Sequence, residues 1–312
     1  MSAVISIGKH CSECLDRLIV TTAKASGAPL ERQRRALARA RKIMARLRDR
    51  PLSPARLANR LHPVIGAICR NRDPFRARKQ IETQVARRIT ARSCPGEADG
   101  IRELMRFSAL GNAIDFFRPI DQLEHWLRRP PDFGRDHLEQ WEQRLRGGPR
   151  TLLWLADNAG EVFFDQPVLA HLARRGHRVV YAVKHGPVQN DLTLADLRGL
   201  NLDLAPVTVM STGAATVGLE LERASAEFGE LFRAADLIVA KGMGHFETLW
   251  GRRDPRVLFL FMVKCVPVAA AAGVDVDRLV AVFEPESPRS QVQLERGWAL
   301  KELTTARSRF GE

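Results

Sequence analysis

At 312 residues, 45% of them hydrophobic, the chain is long and apolar enough to bury one large core or two ordinary ones, which excludes disorder as its default state. Its formal charge of +13 is unevenly placed: residues 1–150 hold 31 Lys and Arg against 16 Asp and Glu, whereas residues 151–312 hold 18 against 20. The simplest account of the basic half is an Arg-rich solvated helical surface; the alternative is a non-catalytic protein that binds nucleic acid or another anionic partner through it, although with one Tyr in the chain there is little on which bases could stack and nucleic acid is not the expected partner.

The N-terminus lacks the charged, apolar and small-residue succession of a signal peptide, and five cysteines are an odd number scattered along the chain, so reduced thiols and a cytoplasmic location are expected. Cys11-Ser12-Glu13-Cys14 is a single Cys-x-x-Cys; Cys69 and Cys94 could complete a metal site with it, but free thiols are the simpler reading, and His10 beside it is either a ligand or a surface residue. From Leu30 to about Arg129 the pattern is helical: Ala36, Leu37, Ala40, Ile43, Met44 and Leu47 recur at three and four, with Arg on the other face. Pro51, Pro54, Pro63, Pro74 and Pro95 cut this half into short pieces, and Arg129-Pro130-Pro131 with Gly147-Gly148-Pro149 brackets a last helix around Trp141. The organisation expected is a helical region over 1–149 and an α/β domain over 150–312.

Past Arg150 short apolar runs alternate with amphipathic segments, the texture of a mainly parallel sheet covered by helices in a three-layer α/β/α domain. The runs are Thr151 to Ala156, Arg178 to Val183, Pro206 to Met210, Asp236 to Ala240, Val257 to Val263 and Leu279 to Phe283, about six strands. The longest apolar stretch, Val257 to Val274, is interrupted by Lys264 and Pro267, so no membrane span is expected.

Ligands of an open parallel sheet sit at the carboxyl ends of its strands, and here each end carries polar groups. The first run ends in Asp157-Asn158-Ala159-Gly160-Glu161, the second in Lys184 and then Asn190-Asp191, and the third in Ser211-Thr212-Gly213. The fourth ends in Lys241-Gly242-Met243-Gly244-His245-Phe246-Glu247, and the fifth reaches Lys264. Asp157, Asn158 and Asp191 are the oxygen donors a hard divalent cation prefers, although each Asp could equally be a helix cap. Lys264 ends a buried strand, where an ammonium needs a partner: a phosphate, a structural carboxylate, or solvent reached by snorkelling. Gly213, Gly242 and Gly244 would let backbone N–H groups approach an anion. Neither a dinucleotide-binding Gly-x-Gly-x-x-Gly after a strand nor a P-loop occurs.

Taken together, these segments resemble the damage-control phosphatase family, also called domain of unknown function 89. The matching residues are Asp157-Asn158-Ala159-Gly160-Glu161 with Asp165, Val183-Lys184 with Pro187, Asn190-Asp191 and Thr193, Ala235 to Gly244 with Phe246-Glu247, and Lys264-Cys265. In the first half Cys11, Cys14, Asp73-Pro74-Phe75, Gly111-Asn112 and Ile114-Asp115 look like its compact prokaryotic branch. The resemblance implies a helical N-terminal region packed on an α/β/α domain. It also implies divalent-metal-dependent hydrolysis, with Mn²⁺, Co²⁺, Ni²⁺ or Mg²⁺, of small phosphorylated metabolites such as sugar phosphates or damaged phosphometabolites. By the same resemblance Asp157, Asn158 and Asp191 correspond to catalytic and metal-binding residues. Glu161, Lys241, Gly242, Met243, His245, Glu247 and Lys264, with Asn112 and Ser211, correspond to substrate-binding ones. His245 stands where that branch usually has Asn, which bears on leaving-group preference. An aspartyl-phosphate route and direct attack by water both remain open.

Overall fold

The computed structural model describes residues 5, 7–96, 99–113, 125–126 and 129–285. Helices α1 (Lys9–Ala25), α2 (Leu30–Leu47) and α3 (Pro54–Cys69) pack around Leu15, Ile19, Ala36, Ala40, Leu57 and Leu61. In α2 only Ala36 and Ala40 are fully buried, so its arginines face water. One of them, Arg41, holds Asp16 of α1 through two hydrogen bonds of 2.7 and 2.9 Å, an exposed pair of small energetic weight. The α3 helix starts where Ser53 accepts from the Arg56 N–H at 3.4 Å with Pro54 in the first turn, and it stops at Arg70, which adopts the left-handed conformation.

Two further helices, α4 (Arg76–Ser93) and α5 (Gly100–Gly111), lean on the sheet domain. Gly111 is where α5 meets α7 (Val162–Arg174): a Cβ there would lie 2.7 Å from that of Phe164. The Ile114-Asp115 pair lies outside the described residues.

The sheet has seven strands, β1 (Phe133–Asp136), β2 (Thr151–Leu155), β3 (Arg178–Val183), β4 (Thr208–Ser211), β5 (Leu237–Lys241), β6 (Val257–Met262) and β7 (Leu279–Phe283), in the order β1-β7-β6-β5-β2-β3-β4. All neighbours are parallel except β6 and β7. Six strands match the apolar runs of the sequence. The seventh, β1, comes from the half read as helical and pairs with β7, so the sheet draws on both sides of Arg150. Phe133-Gly134-Arg135-Asp136 is a partly exposed edge strand with one neighbour and no apolar run, which is why hydrophobic pattern misses it. The helix bracketed around Trp141 is present as α6 (Leu138–Leu145).

The inner strands are buried on both faces. Trp154, Tyr181 and Leu260 point into one apolar layer, Leu153, Leu155, Phe259 and Phe261 into the other, as strand alternation requires. The remaining helices are α8 (Leu194–Leu200), α9 (Ala226–Ala234), α10 (Gly242–Leu249) and α11 (Val266–Ala272). Among the described residues no helix is long and apolar enough to cross a membrane.

Candidate active site

The chain runs outward from β2 through β3 to β4 and returns to β5 on the other side of β2. The carboxyl ends of β2 and β5 therefore flank the topological switch point, where a crevice opens between diverging connections. Asp157 and Asn158 follow β2 at this place. Asn158 and Asp191 form an isolated antiparallel bridge, with Ala159 N donating to the Asn190 carbonyl and Leu192 N to that of Asp157, both at 2.8 Å. Backbone pairing thus sets the three expected oxygen donors side by side. The Asn190 amide is fixed from the helical half by Glu82 of α4 at 2.9 Å.

The cap at this strand end is Asn158, not Asp157. Asn158 and Glu161 form a reciprocal capping box around a short 3₁₀ turn, Ala159–Glu161, and the Asn158 side-chain amide donates to Glu161 Oε1 at 2.8 Å. Asn112, buried at the end of α5, donates to Asp157 Oδ2 at 3.0 Å and to Glu161 Oε1 at 2.7 Å, while its oxygen accepts from Met262 N at 3.1 Å. Its role is to orient Asp157 and to tie the helical half to β6. Gly242 sits at φ 79° with the Asp157 carboxylate where a Cβ would have to be, so only glycine fits both the turn and the approach.

Burial governs the electrostatics of the site. Burial holds the Asp157 carboxyl well above the usual carboxylate range, and neighbouring Asp191 and Glu161 push it the same way. Burial also raises Asp191, to about 6, against the pull of Lys184. Lys184 follows β3, donates to the Gly218 carbonyl at 2.6 Å and forms an ion pair of 3.5 Å with Asp191 Oδ2. Lys184 was visible in the sequence as another lysine closing an apolar run, yet was not singled out as a site residue.

A cavity of about 680 Å³ opens over these groups, and Asp157, Asn158, Asp191, Met243, Glu247 and Lys264 all line it. The other expected substrate contacts lie elsewhere. Lys241 is enclosed behind the cavity wall, its ammonium 2.8 Å from Glu161 Oε2 and 2.6 Å from Asp165 Oδ1 and donating to the Ser108 carbonyl at 3.0 Å. Asp165 is satisfied further by Ser108 Oγ at 2.6 Å and Tyr181 OH at 2.9 Å. Glu161 is therefore enclosed with Lys241 and does not line the cavity.

His245 is also buried outside the cavity. Its Nδ1 faces the Lys241 carbonyl at 2.6 Å and its Nε2 the Lys184 ammonium at 3.2 Å, an arrangement satisfied by a neutral ring that donates at Nδ1 and accepts at Nε2. Burial and Lys184 together hold its pKa well below the usual histidine value. Ser211, on the outer strand β4, faces His185 Nδ1 at 3.5 Å and accepts from Gly213 N at 3.0 Å, away from the carboxylates. Glu247 joins the two halves by accepting from Ala55 N, in the first turn of α3, at 2.7 Å.

The cysteines arrange differently from the grouping considered above. Cys69 is buried within α3 and Cys94 is exposed after α4, whereas Cys265, which follows Lys264, shares the cavity wall with Cys11 and Cys14. Only the fold brings that third thiol to the other two.

The donor set fits a hard divalent cation: two buried carboxylates and one amide oxygen set side by side by backbone pairing. Among the described residues no group of three or more His, Cys, Asp and Glu side chains is placed to hold a metal ion. Two carboxylates and one amide offer fewer protein ligands than the four-ligand cage of a structural zinc.

Residues 7–280 match the family described as the Damage-control phosphatase ARMT1-like domain. The chain is 30% identical over 287 residues to the Damage-control phosphatase PH1575 of Pyrococcus horikoshii, covering 88% of this chain and 96% of the relative. It is 28% identical over 241 residues to a Damage-control phosphatase of Archaeoglobus fulgidus, covering 75% and 83%. The crystal structure of PH1575, described as a DUF89 family protein, superposes with a TM-score of 0.75 at 28% identity, over 89% of this chain and 99% of that one. With a crevice of paired carboxylates at the switch point and likeness over nearly its whole length, the chain belongs to the damage-control phosphatase ARMT1-like family.

Proposed function

We propose that the protein is a divalent-metal-dependent phosphatase acting on phosphate monoesters of small metabolites. The observation that carries this reading is the pair of buried carboxylates, Asp157 and Asp191, held side by side at the switch point in a cavity that Lys264 also lines. The names of the relatives support the phosphatase part, and the adjacent oxygen donors Asp157, Asn158 and Asp191 support the metal. Asp157, Asn158 and Asp191 would hold the ion, with Mn²⁺, Co²⁺, Ni²⁺ and Mg²⁺ as candidates. When bound, such a cation supplies positive charge to the phosphoryl oxygens.

The rest of the chemistry belongs to the chain. Lys264 matches the remaining charge of the phosphate, Asn112 keeps Asp157 aimed into the cavity, and Gly242 gives that carboxylate room. Lys184 and His245 act through Asp191, fixing the ammonium that faces it. A cytoplasmic setting, where phosphorylated metabolites and reduced thiols coexist, is part of the same proposal.

The test is phosphate release from a general aryl phosphate and a panel of sugar phosphates, comparing chelator-treated protein with protein resupplied with each ion, alongside Asp157→Ala. Turnover restored by metal and lost in the variant is expected. Absence of release with every ion and every ester would overturn the reading.

A further inference from the structure

A second cavity, of about 730 Å³, follows the catalytic one along the same three segments of chain. Helix α1 gives Leu18 to the first and Thr22, one turn on, to the second. Helix α3 gives Ala55 and Ala58 to the first, then Asn59, His62 and Gly66 to the second, a spacing of three and four that keeps one face of the helix on the chamber. The loop after β3 gives Asn190 and Asp191 to the first, Pro187 and Val188 to the second. Among the described residues Gln189 alone lines both, and its amide nitrogen meets His62 Nε2 at 3.0 Å, so this contact is the partition between them.

Most polar groups on the wall of this second chamber are engaged by the fold. Asn59 donates to the Val217 carbonyl at 3.2 Å and to Glu220 Oε1 at 2.6 Å, and accepts from Val217 N at 2.8 Å. Thr22 donates to the Leu18 carbonyl at 2.8 Å. Asp73, the one carboxylate among the described lining residues, faces the Lys79 ammonium at 3.3 Å with its other oxygen buried. Arg70 and Arg72 differ: both are exposed at the mouth, and among the described residues neither guanidinium has a hydrogen bond or an ion pair. His62 accepts the Gln189 amide at Nε2, which leaves its ring proton on Nδ1 as a further donor of this wall. The backbone marks the same two ends of the chamber. Arg70 at φ 56° and Gln189 at φ 45° are two of the five non-glycine residues with positive φ among the described residues, a conformation ordinarily left to glycine.

We propose that this chamber is a second ligand site, separate from the catalytic cavity, for a small molecule whose phosphoryl or carboxylate group is held at the mouth by Arg70 and Arg72. Planar guanidinium forks match the oxygens of either group, and here the two forks are not committed to a carboxylate of the fold. The site requires neither a metal nor turnover, so it stands apart from the phosphatase reading.

The experiment titrates pyrophosphate and citrate, in separate calorimetric runs, into the full chain with no metal added. The buffer holds about 0.15 M salt, at which attraction between exposed charges is screened beyond about 8 Å. Saturable binding is expected, and the tighter anion names the group recognised. Arg70→Gln and Arg72→Gln should each weaken it about tenfold, the size of one charge-assisted hydrogen bond. Lys264→Ala, in the catalytic cavity, should leave it unchanged. Ala67 is an exposed residue of the chamber wall, so Ala67→Trp should fill the space and block binding with both arginines in place. Thermal midpoints equal to that of wild type confirm that each variant is folded. Binding of neither anion, or binding undiminished in Ala67→Trp or in the double arginine variant, would overturn the site. So would binding lost in Lys264→Ala, which would place the anion in the catalytic cavity instead.

Discussion

Two lysines that look alike in the sequence occupy opposite kinds of place in the fold. Lys241 closes β5 and Lys264 follows β6, the neighbouring strand, and each ends a run of apolar residues. Around Lys241, Glu161, Asp165 and the Ser108 carbonyl form a sealed ionic cluster with no exposed surface. Lys264 instead lines the open cavity opposite the helical half. Which lysine becomes structural is decided by whether a carboxylate on α7 or the lumen of a crevice lies beside the strand end. The same contrast separates Glu161, absorbed by the scaffold, from Asp157 and Asp191, which the scaffold leaves aimed at the cavity.

The sharpest way to break this contrast is to remove each lysine in turn. Lys241→Met strands two buried carboxylates and should cost about 3–5 kcal/mol, read as a fall in the urea midpoint; a midpoint unchanged from wild type would mean the cluster is not structural. Lys264→Ala should leave that midpoint nearly in place yet lower kcat/KM for any phosphate ester by about a hundredfold, the size of losing one charge-matching group. If Lys264→Ala unfolds the protein while turnover per folded molecule persists, the two roles have been assigned the wrong way round.

Asn112 spans both regions, since one amide serves Asp157 and Glu161. Asn112→Ala leaves Met262 N and the two carboxylates short of a partner and should cost about 2 kcal/mol, with the loss of turnover exceeding what the folded fraction explains. Equal losses would reduce Asn112 to a scaffold residue.

Glu247 gives a pH signature. Its folded carboxyl is raised from 4.5 to about 7, so the folded state binds the proton more tightly than the unfolded chain. That contribution to stability is fully present below pH 4.5 and is lost as pH rises towards 7. Because Asp157 and Asp191 are raised too and slope the same way, Glu247→Gln, which can still accept from Ala55 N, should reduce this slope in the denaturation midpoint without abolishing it; a slope identical to wild type would assign it to the other groups.

The smallest effect belongs to His245. Because it contacts Lys184 and the Lys241 carbonyl rather than the cavity, His245→Asn should cost about 1 kcal/mol at most and leave the rank order of substrates unaltered. A reordered substrate panel would show that the residue acts on the leaving group after all.

Much of the architecture is legible from local pattern. Five strands announce themselves because a strand buried on both faces must be a continuous apolar run, the edge strand β4 shows through its own short apolar run, and the Arg-rich character of α2 follows from helical spacing with one solvated face. The polar residues at strand ends, Asp157, Asn158, Asp191 and Lys264, are equally readable, since an open parallel sheet directs function to that edge. Edge strand β1 escapes because half-exposed backbone pairing asks nothing of side-chain hydrophobicity.

Composition and order along the chain by themselves determined the three-layer class, the edge of the sheet that bears the site and the residue types available there. Only the tertiary structure decided which of those residues face one another. It enclosed Lys241, Glu161 and His245, left Ser211 on an outer strand, and brought Cys265 to Cys11 and Cys14 from the far end of the chain. The physical reason is range: hydrophobic periodicity acts over a few residues, whereas the partner of a buried charge is chosen by packing between elements far apart in the chain, 76 residues for Lys241 and Asp165 and 61 for Lys184 and His245, and sequence pattern does not record that choice.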